Sequence, residues 1–294
     1  MKNTVAVIGG GMMGMTVALR MSEKGYDVSL YEASESLGGL ASAWQIDDIV
    51  WDKFYHVVLL SDLYTRKIIK EIGLEEETNW VETKTGFYSG GKLFSMSNLI
   101  EFFKFPPINL IDKFRLGLTI FAASKMKNWK RLENIKVENW LTKWSGKNTF
   151  NKIWLPLLRA KLGENYKETS AAFIWATIQR MYAARNTGLK KEMFGYVSGG
   201  YANILDKLYK HIESKGIKVF TSHITKSINK KENAFEIVFE NGHIENVKNV
   251  ISTIPSSINA ELIKDLQTIE IEKLKSVQYL GVVCTSILIK NQLS

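Results

Sequence analysis

Three glycines in a fixed frame constrain this chain more than any other feature. A short apolar run, Val5-Ala6-Val7-Ile8, leads into Gly9-x-Gly11-x-x-Gly14. Met12 to Lys24 carries apolar side chains at helical spacing, and Gly25 ends that helix. Val28–Tyr31 reads as a second buried strand, closed by Glu32. Strand, glycine turn, helix, strand and acid, all within about 30 residues, form a βαβ dinucleotide-binding unit. Each position has a physical reason. Gly9 permits the tight turn, Gly11 lets the backbone approach a pyrophosphate, and Gly14 lets the helix pack close to the strand. The N–H groups at the helix start, around Met12 and Met13, then face the phosphates, aided by the helix dipole. Glu32, followed by Ala33, sits where a carboxylate accepts hydrogen bonds from an adenosine ribose. A carboxylate there repels a 2′-phosphate, which disfavours NADP.

The fingerprint alone does not separate FAD from NAD. The segment Glu32-Ala33-Ser34-Glu35-Ser36-Leu37-Gly38-Gly39-Leu40 resembles the extended motif of the flavin amine oxidase superfamily. That superfamily includes protoporphyrinogen oxidases, phytoene-type desaturases and monoamine oxidases. The resemblance implies FAD, with Gly38-Gly39 beside its pyrophosphate and ribityl chain. Leu40 stands where an arginine often follows. Trp51 to His56 resembles the segment that approaches the flavin ring. Trp154-Leu155-Pro156-Leu157-Leu158-Arg159-Ala160-Lys161-Leu162-Gly163 resembles a helical segment of bacterial protoporphyrinogen-oxidase-like proteins. Gly199-Gly200 before a helix, then Thr221–Ile228, then Val250–Pro255, resembles the second part of the FAD domain, and this places the backbone of Ile224 at the adenine.

By that resemblance the fold is α/β. A Rossmann-like FAD-binding domain, a parallel sheet with helices, comprises 1–58 and 196–262. It is interleaved with a mostly helical α+β substrate domain, 59–195 and 263–294. Hairpins are expected at Phe87–Phe94 and around an Asn241-Gly242 two-residue turn, and a last strand at Leu280–Ile289. Relatives usually continue past such a strand with a Gly-Asp element near the flavin, so the chain reads as truncated at its C-terminus.

The implied chemistry is FAD-dependent removal of a hydride from an apolar or polycyclic substrate, the cofactor supplying the redox step. A non-redox flavoenzyme of the sugar-mutase type and a non-catalytic dinucleotide-binding fragment are the alternatives. A plain NAD dehydrogenase is disfavoured by Gly38-Gly39 and by the late return of a second cofactor-domain segment. His56 is the one catalytic candidate, as a hydrogen-bond partner of flavin or substrate, or else as a histidine satisfied by the protein itself. Asp52, four positions earlier, either orients His56 or caps a turn. Arg159 and Lys161 either anchor an anionic substrate or form an exposed helix face.

Composition narrows the field further. The single cysteine, Cys284, forms no internal disulfide and fits a reducing, cytoplasmic setting. His56, His211, His223 and His243 are scattered, so no metal site is expected. Lys2 before the apolar Val5–Leu19 imitates a signal peptide, but the glycine turn explains every residue there. No run of about 20 apolar residues is present, so no membrane span is expected. The net charge of +9 fits an anionic lipid or substrate, or simply lysine-rich helix surfaces; nucleic acid is not an expected partner. Glu101–Lys136 mixes large apolar residues with eight Lys and Arg against three Asp and Glu, a pattern that could rest on an anionic membrane.

Overall fold

A computed structural model describes residues 3–83, 86–95, 99–185, 193–287 and 289. The chain divides into two compact units, one built from Met1–His56, Ile69–Glu77 and Val197–Ser294, the other from Val57–Ile68 and Thr78–Tyr196.

The first unit is organised by a four-stranded sheet. Strand β1 (Thr4–Ile8) leads through helix α1 (Met12–Glu23) to β2 (Asp27–Tyr31). Helix α2 (Gly200–Ser214) then delivers β3 (Lys218–Phe220), and β4 is Asn249–Ser252. The order is β3-β2-β1-β4, all pairs parallel, with Val5 opposite Val28 and Val7 opposite Leu30. Parallel strands covered on both faces need unbroken apolar runs, and Val5 to Ile8, Val28 and Leu30 are buried accordingly. An antiparallel sheet of Thr225–Lys230, Phe235–Phe239 and Ile244–Val247 closes one side, its Ile228, Ile237 and Phe239 packing with Ala6, Ile8 and Tyr31.

Two elements differ from the sequence expectation. The hairpin turn holds three residues, not two: Phe239 N–H bonds the His243 carbonyl (3.0 Å) around Glu240-Asn241-Gly242, with Gly242 at φ +85°. A three-residue loop with a left-handed glycine is the next solution when the two-residue turn is not used. Leu280–Ile289 forms no strand over its described residues, and Val283 and Ile287 stand in the open. A strand exists only where its backbone pairs with a neighbour, and the tie to the Ile49–Asp52 strand is made by side chains, Trp51 Nε1 donating to the Ser286 hydroxyl at 3.2 Å. Residues 69–77 and 263–294 group with the first unit rather than with the helical layer. The physical reason is local packing: Ile263 bridges Ile228, and the Thr268–Lys275 helix packs on the Ser256–Leu262 helix.

Glu71 fixes the 69–77 segment. Its carboxylate takes a bidentate fork from Arg20 of α1 (Nη1 to Oε1, 3.0 Å) and lies 3.5 Å from His211 Nε2 of α2. The Arg20 guanidinium holds the Glu71 carboxyl below its ordinary value near 4.5. A depressed carboxyl stabilises the fold above its unfolded pKa, and that contribution disappears as pH falls through the folded value. Glu71→Gln is therefore expected to lose about 1 kcal/mol at pH 7, the pair being partly exposed. The gap to wild type should close below pH 4.5 in a pH series of thermal melts. A gap independent of pH would show that the charge of Glu71 is not what matters.

The second unit is mostly helical. Helices Leu110–Lys125, Val137–Ser145, Leu155–Leu162 and Ala171–Arg185 surround a core that includes Leu116, Leu141, Leu158 and Ile174. The expected hairpin is present as Gly86–Ser89 paired with Lys92–Ser95. The Trp154–Gly163 motif starts at the end of a π-helical turn, Phe150–Trp154. Trp154 serves the core: its ring is buried, and Nε1 donates to the Ser145 hydroxyl at 3.0 Å. No described helix is long and apolar enough to cross a membrane.

Candidate functional site

The mouth of α1 is built almost wholly from backbone. Gly11 is the N-cap, at φ −71° and ψ 175°, with no side-chain cap and no acid in the first turn. The glycines around it divide into two kinds. A β-carbon at Gly14 would run into the Gly9 carbonyl oxygen, and one at Gly10 would meet the Glu32 and Leu37 side chains. At Gly38 (φ +128°) it would fall 2.7 Å from Leu205 of α2. At Gly11 it would meet nothing within 4 Å. So Gly14, Gly10 and Gly38 are small because protein packs against them, whereas Gly11 borders open space.

The second glycine pair closes on the first. Gly38 N–H donates to the Gly10 carbonyl at 2.9 Å, and Gly11 and Gly38 form a parallel bridge. A β-carbon on Gly39 would lie 3.3 Å from Gly11 Cα. Met13 and Leu40 are exposed beside this bare backbone, and Ala33 is exposed beyond Glu32. Glu32 accepts the Gly10 N–H on one carboxylate oxygen and the Ser34 N–H (2.9 Å) on the other. A carboxylate has about four acceptor positions, so two remain for the hydroxyls of a ribose. Ser222 and His223 donate their N–H groups to the Ser34 and Glu32 carbonyls (2.9 and 2.8 Å), which brings Ile224 to the Glu32 end of β2. The Ile224 carbonyl already accepts the Glu240 N–H at 2.9 Å.

Thr253 and Gly10 are contributors that the spacing argument did not single out. The Thr253 hydroxyl lies 3.0 Å from the Ile8 carbonyl and 3.2 Å from that of Gly9, pinning the turn from the end of β4. No local pattern marks a contact 245 residues away. For Gly10 the signal was present: three successive glycines where the fingerprint uses only two.

Asp52 does not orient His56. Its Oδ1 accepts the Tyr201 N–H at 3.1 Å and lies against Gly200, so it caps α2, where a carboxylate meets the positive end of the helix. His56 Nδ1 faces the Phe54 carbonyl at 2.7 Å and its ring lies 4.8 Å from that of Tyr201. A carbonyl only accepts, so Nδ1 carries the proton and Nε2 of the neutral ring is left as an acceptor. In the helical unit, the Arg159 guanidinium pairs with Glu164 (3.0 Å) and lies over the Tyr166 ring, and Lys161 is exposed. To anchor an anionic substrate Arg159 would first have to leave Glu164. Among the described residues no group of three His, Cys, Asp or Glu could hold a metal ion.

A parallel sheet, an uncapped helix mouth lined by bare glycine backbone and a carboxylate with spare acceptor positions define a Rossmann-like dinucleotide-binding protein. The chain belongs to the flavin containing amine oxidoreductase family, whose pattern matches residues 12–292. FAD is the cofactor that this family implies. The chain is similar to the zeta-carotene desaturase of Synechocystis sp., with 25% identity over 256 residues, 77% of this chain and 50% of that protein. It superposes on a putrescine oxidase triple mutant with a TM-score of 0.73 at 16% identity, covering 93% of this chain and 63% of that one. Reduced UDP-galactopyranose mutase gives a TM-score of 0.66 at 18% identity, covering 93% and 60%. At such identities these two structures establish the fold alone. The chain spans about half the length of the curated relatives it matches.

Proposed function

We propose that this chain holds FAD at the mouth of α1 and belongs to an enzyme that oxidises an apolar or polycyclic substrate. The observation that carries the reading is the open space over Gly11, set between packed glycines and a carboxylate with two acceptor positions to spare. Backbone N–H groups at Gly11, Met12 and Met13 would hold the diphosphate. Gly38, Gly39 and Leu40 would flank it, with Glu32 and Ala33 at the ribose and Ile224 at the adenine. The chemistry FAD supplies when bound is two-electron oxidation of a substrate C–H bond. His56, its Nδ1 tied to Phe54, would offer Nε2 to the flavin or to the reacting end of the substrate. The desaturase relative supports a lipophilic substrate, and peripheral contact with a membrane goes with that reading.

The test begins with the absorption spectrum of purified protein and titration of the apoprotein with FAD. The expected result is a bound flavin spectrum at one equivalent. Anaerobic mixing with a polyene hydrocarbon in detergent should then bleach it, and His56→Ala should slow the bleaching with FAD still bound. A protein that takes up no FAD overturns the proposal. Uptake without reduction by any C–H donor would favour the non-redox alternative, and an unchanged rate in His56→Ala would remove His56 from the chemistry.

A further inference from the structure

We propose that the outward face of the Leu110–Lys125 helix, continued by the end of the Leu99–Lys104 helix, seats the protein on an anionic lipid bilayer. This names the surface behind the membrane contact in the reading above, but its argument rests on the helical unit alone.

A surface helix ordinarily turns its large apolar side chains inward. This one is inverted. Its inward residues are mostly small or polar: Asp112, Lys113, Thr119 and Ala123 are buried with Leu116. The polar ones are satisfied within the protein. Asp112 accepts from Asn148 (2.6 Å), Lys113 Nζ donates to the Phe103 carbonyl (2.6 Å), and Thr119 Oγ1 donates to the Arg115 carbonyl (2.7 Å). The Asp112 and Lys113 bonds reach outside the helix and hold it in this orientation. Outward, Leu110, Ile111, Phe114, Leu118 and Phe121 form a line at helical spacing, from 53% exposed at Phe121 to 72% at Ile111. The Phe103 ring meets Phe114 edge-on at 6.0 Å, and Ile100, one turn from Phe103, is also exposed. One apolar strip thus runs across two helices.

Charge identifies the occupant. Residues 99–132 carry seven Lys and Arg against two Asp and Glu. Of the two acids, Asp112 is buried and Glu101 bonds the Ser95 hydroxyl. Exposed cations stand at both ends of the strip: Lys104 at one, and Lys125, Lys127, Lys130 and Arg131 at the other. A second copy docking the same face across a two-fold axis would bring two positive rims together. An anionic headgroup layer complements them while the acyl boundary takes the apolar line. A helix of 16 residues is about 24 Å long, too short to span, so it lies in the interface plane with its lysines reaching the headgroups.

The test is co-sedimentation of the full chain with phosphatidylcholine vesicles, with and without phosphatidylglycerol. Binding should be at least roughly tenfold stronger to the anionic vesicles and should weaken as salt is raised. Phe114→Asp with Leu118→Asp should reduce it by roughly tenfold or more. Because both side chains are exposed, melting temperature and FAD uptake should not change. Wild type that ignores anionic vesicles overturns the proposal, as does a double variant that binds like wild type. A dimer that the double variant splits, with vesicle binding unaltered, would make the face a self-association surface instead. FAD uptake measured in parallel keeps a failure here distinct from failure of the cofactor reading.

Discussion

Gly11→Ala should abolish tight FAD binding while leaving the apoprotein about as stable as wild type. The backbone at Gly11 is ordinary extended chain that alanine adopts without strain. The added methyl meets no protein atom within 4 Å. Alanine is a poorer N-cap than glycine, a cost of about 1 kcal/mol at most. The methyl would, however, occupy the space through which a pyrophosphate must approach the N–H groups. Losing two hydrogen bonds to a charged group, at roughly 1.5–3 kcal/mol each, weakens binding by roughly a hundredfold or more. Isothermal titration with FAD, beside a thermal melt of the apoprotein, reads both quantities. Unchanged affinity would place the diphosphate elsewhere.

Gly14→Ala should do the opposite and damage the fold before any ligand is considered. Its β-carbon would collide with the Gly9 carbonyl oxygen and lie 3.0 Å from the Thr253 hydroxyl. These are backbone and a pinned side chain, not the free end of a flexible residue. Relief would require α1 to move away from β1, breaking the packing of Met15, Ala18 and Leu19, all fully buried. Overpacking of this kind costs about 3 kcal/mol, which lowers the melting temperature by roughly 6–12 °C in a chain of this size. Differential scanning calorimetry of the apoprotein would measure it. A melting point within a degree of wild type would show that the helix slides freely on the strand. Two glycines of one motif are thus separable: one is required by the ligand, the other by the protein.

Some of this was legible in the residues alone because it is local. The βαβ unit follows from unbroken apolar runs and helical spacing with fixed glycine offsets, each encoded within about 30 residues. The Gly199-Gly200 helix start and the Phe87–Phe94 hairpin were readable on the same grounds. Where the sequence spoke in alternatives, distant atoms chose. Asp52 was free to serve His56 or to cap a turn, and it caps a helix that begins 148 positions later. The Leu280–Ile289 run has strand composition, but pairing needs a partner that composition does not supply. The fingerprint gave Gly11 and Gly14 different duties, and the tertiary contacts leave Gly11 bare and pack Gly14. The Leu110–Lys125 helix shows the same division. Its amphipathic composition was visible, but which side faces the core was set by Asn148 and Phe103, neither on that helix. Periodicity is a property of neighbours in the chain, and so the sequence determined the elements and the family; the direction each surface faces depends on groups that only folding brings together.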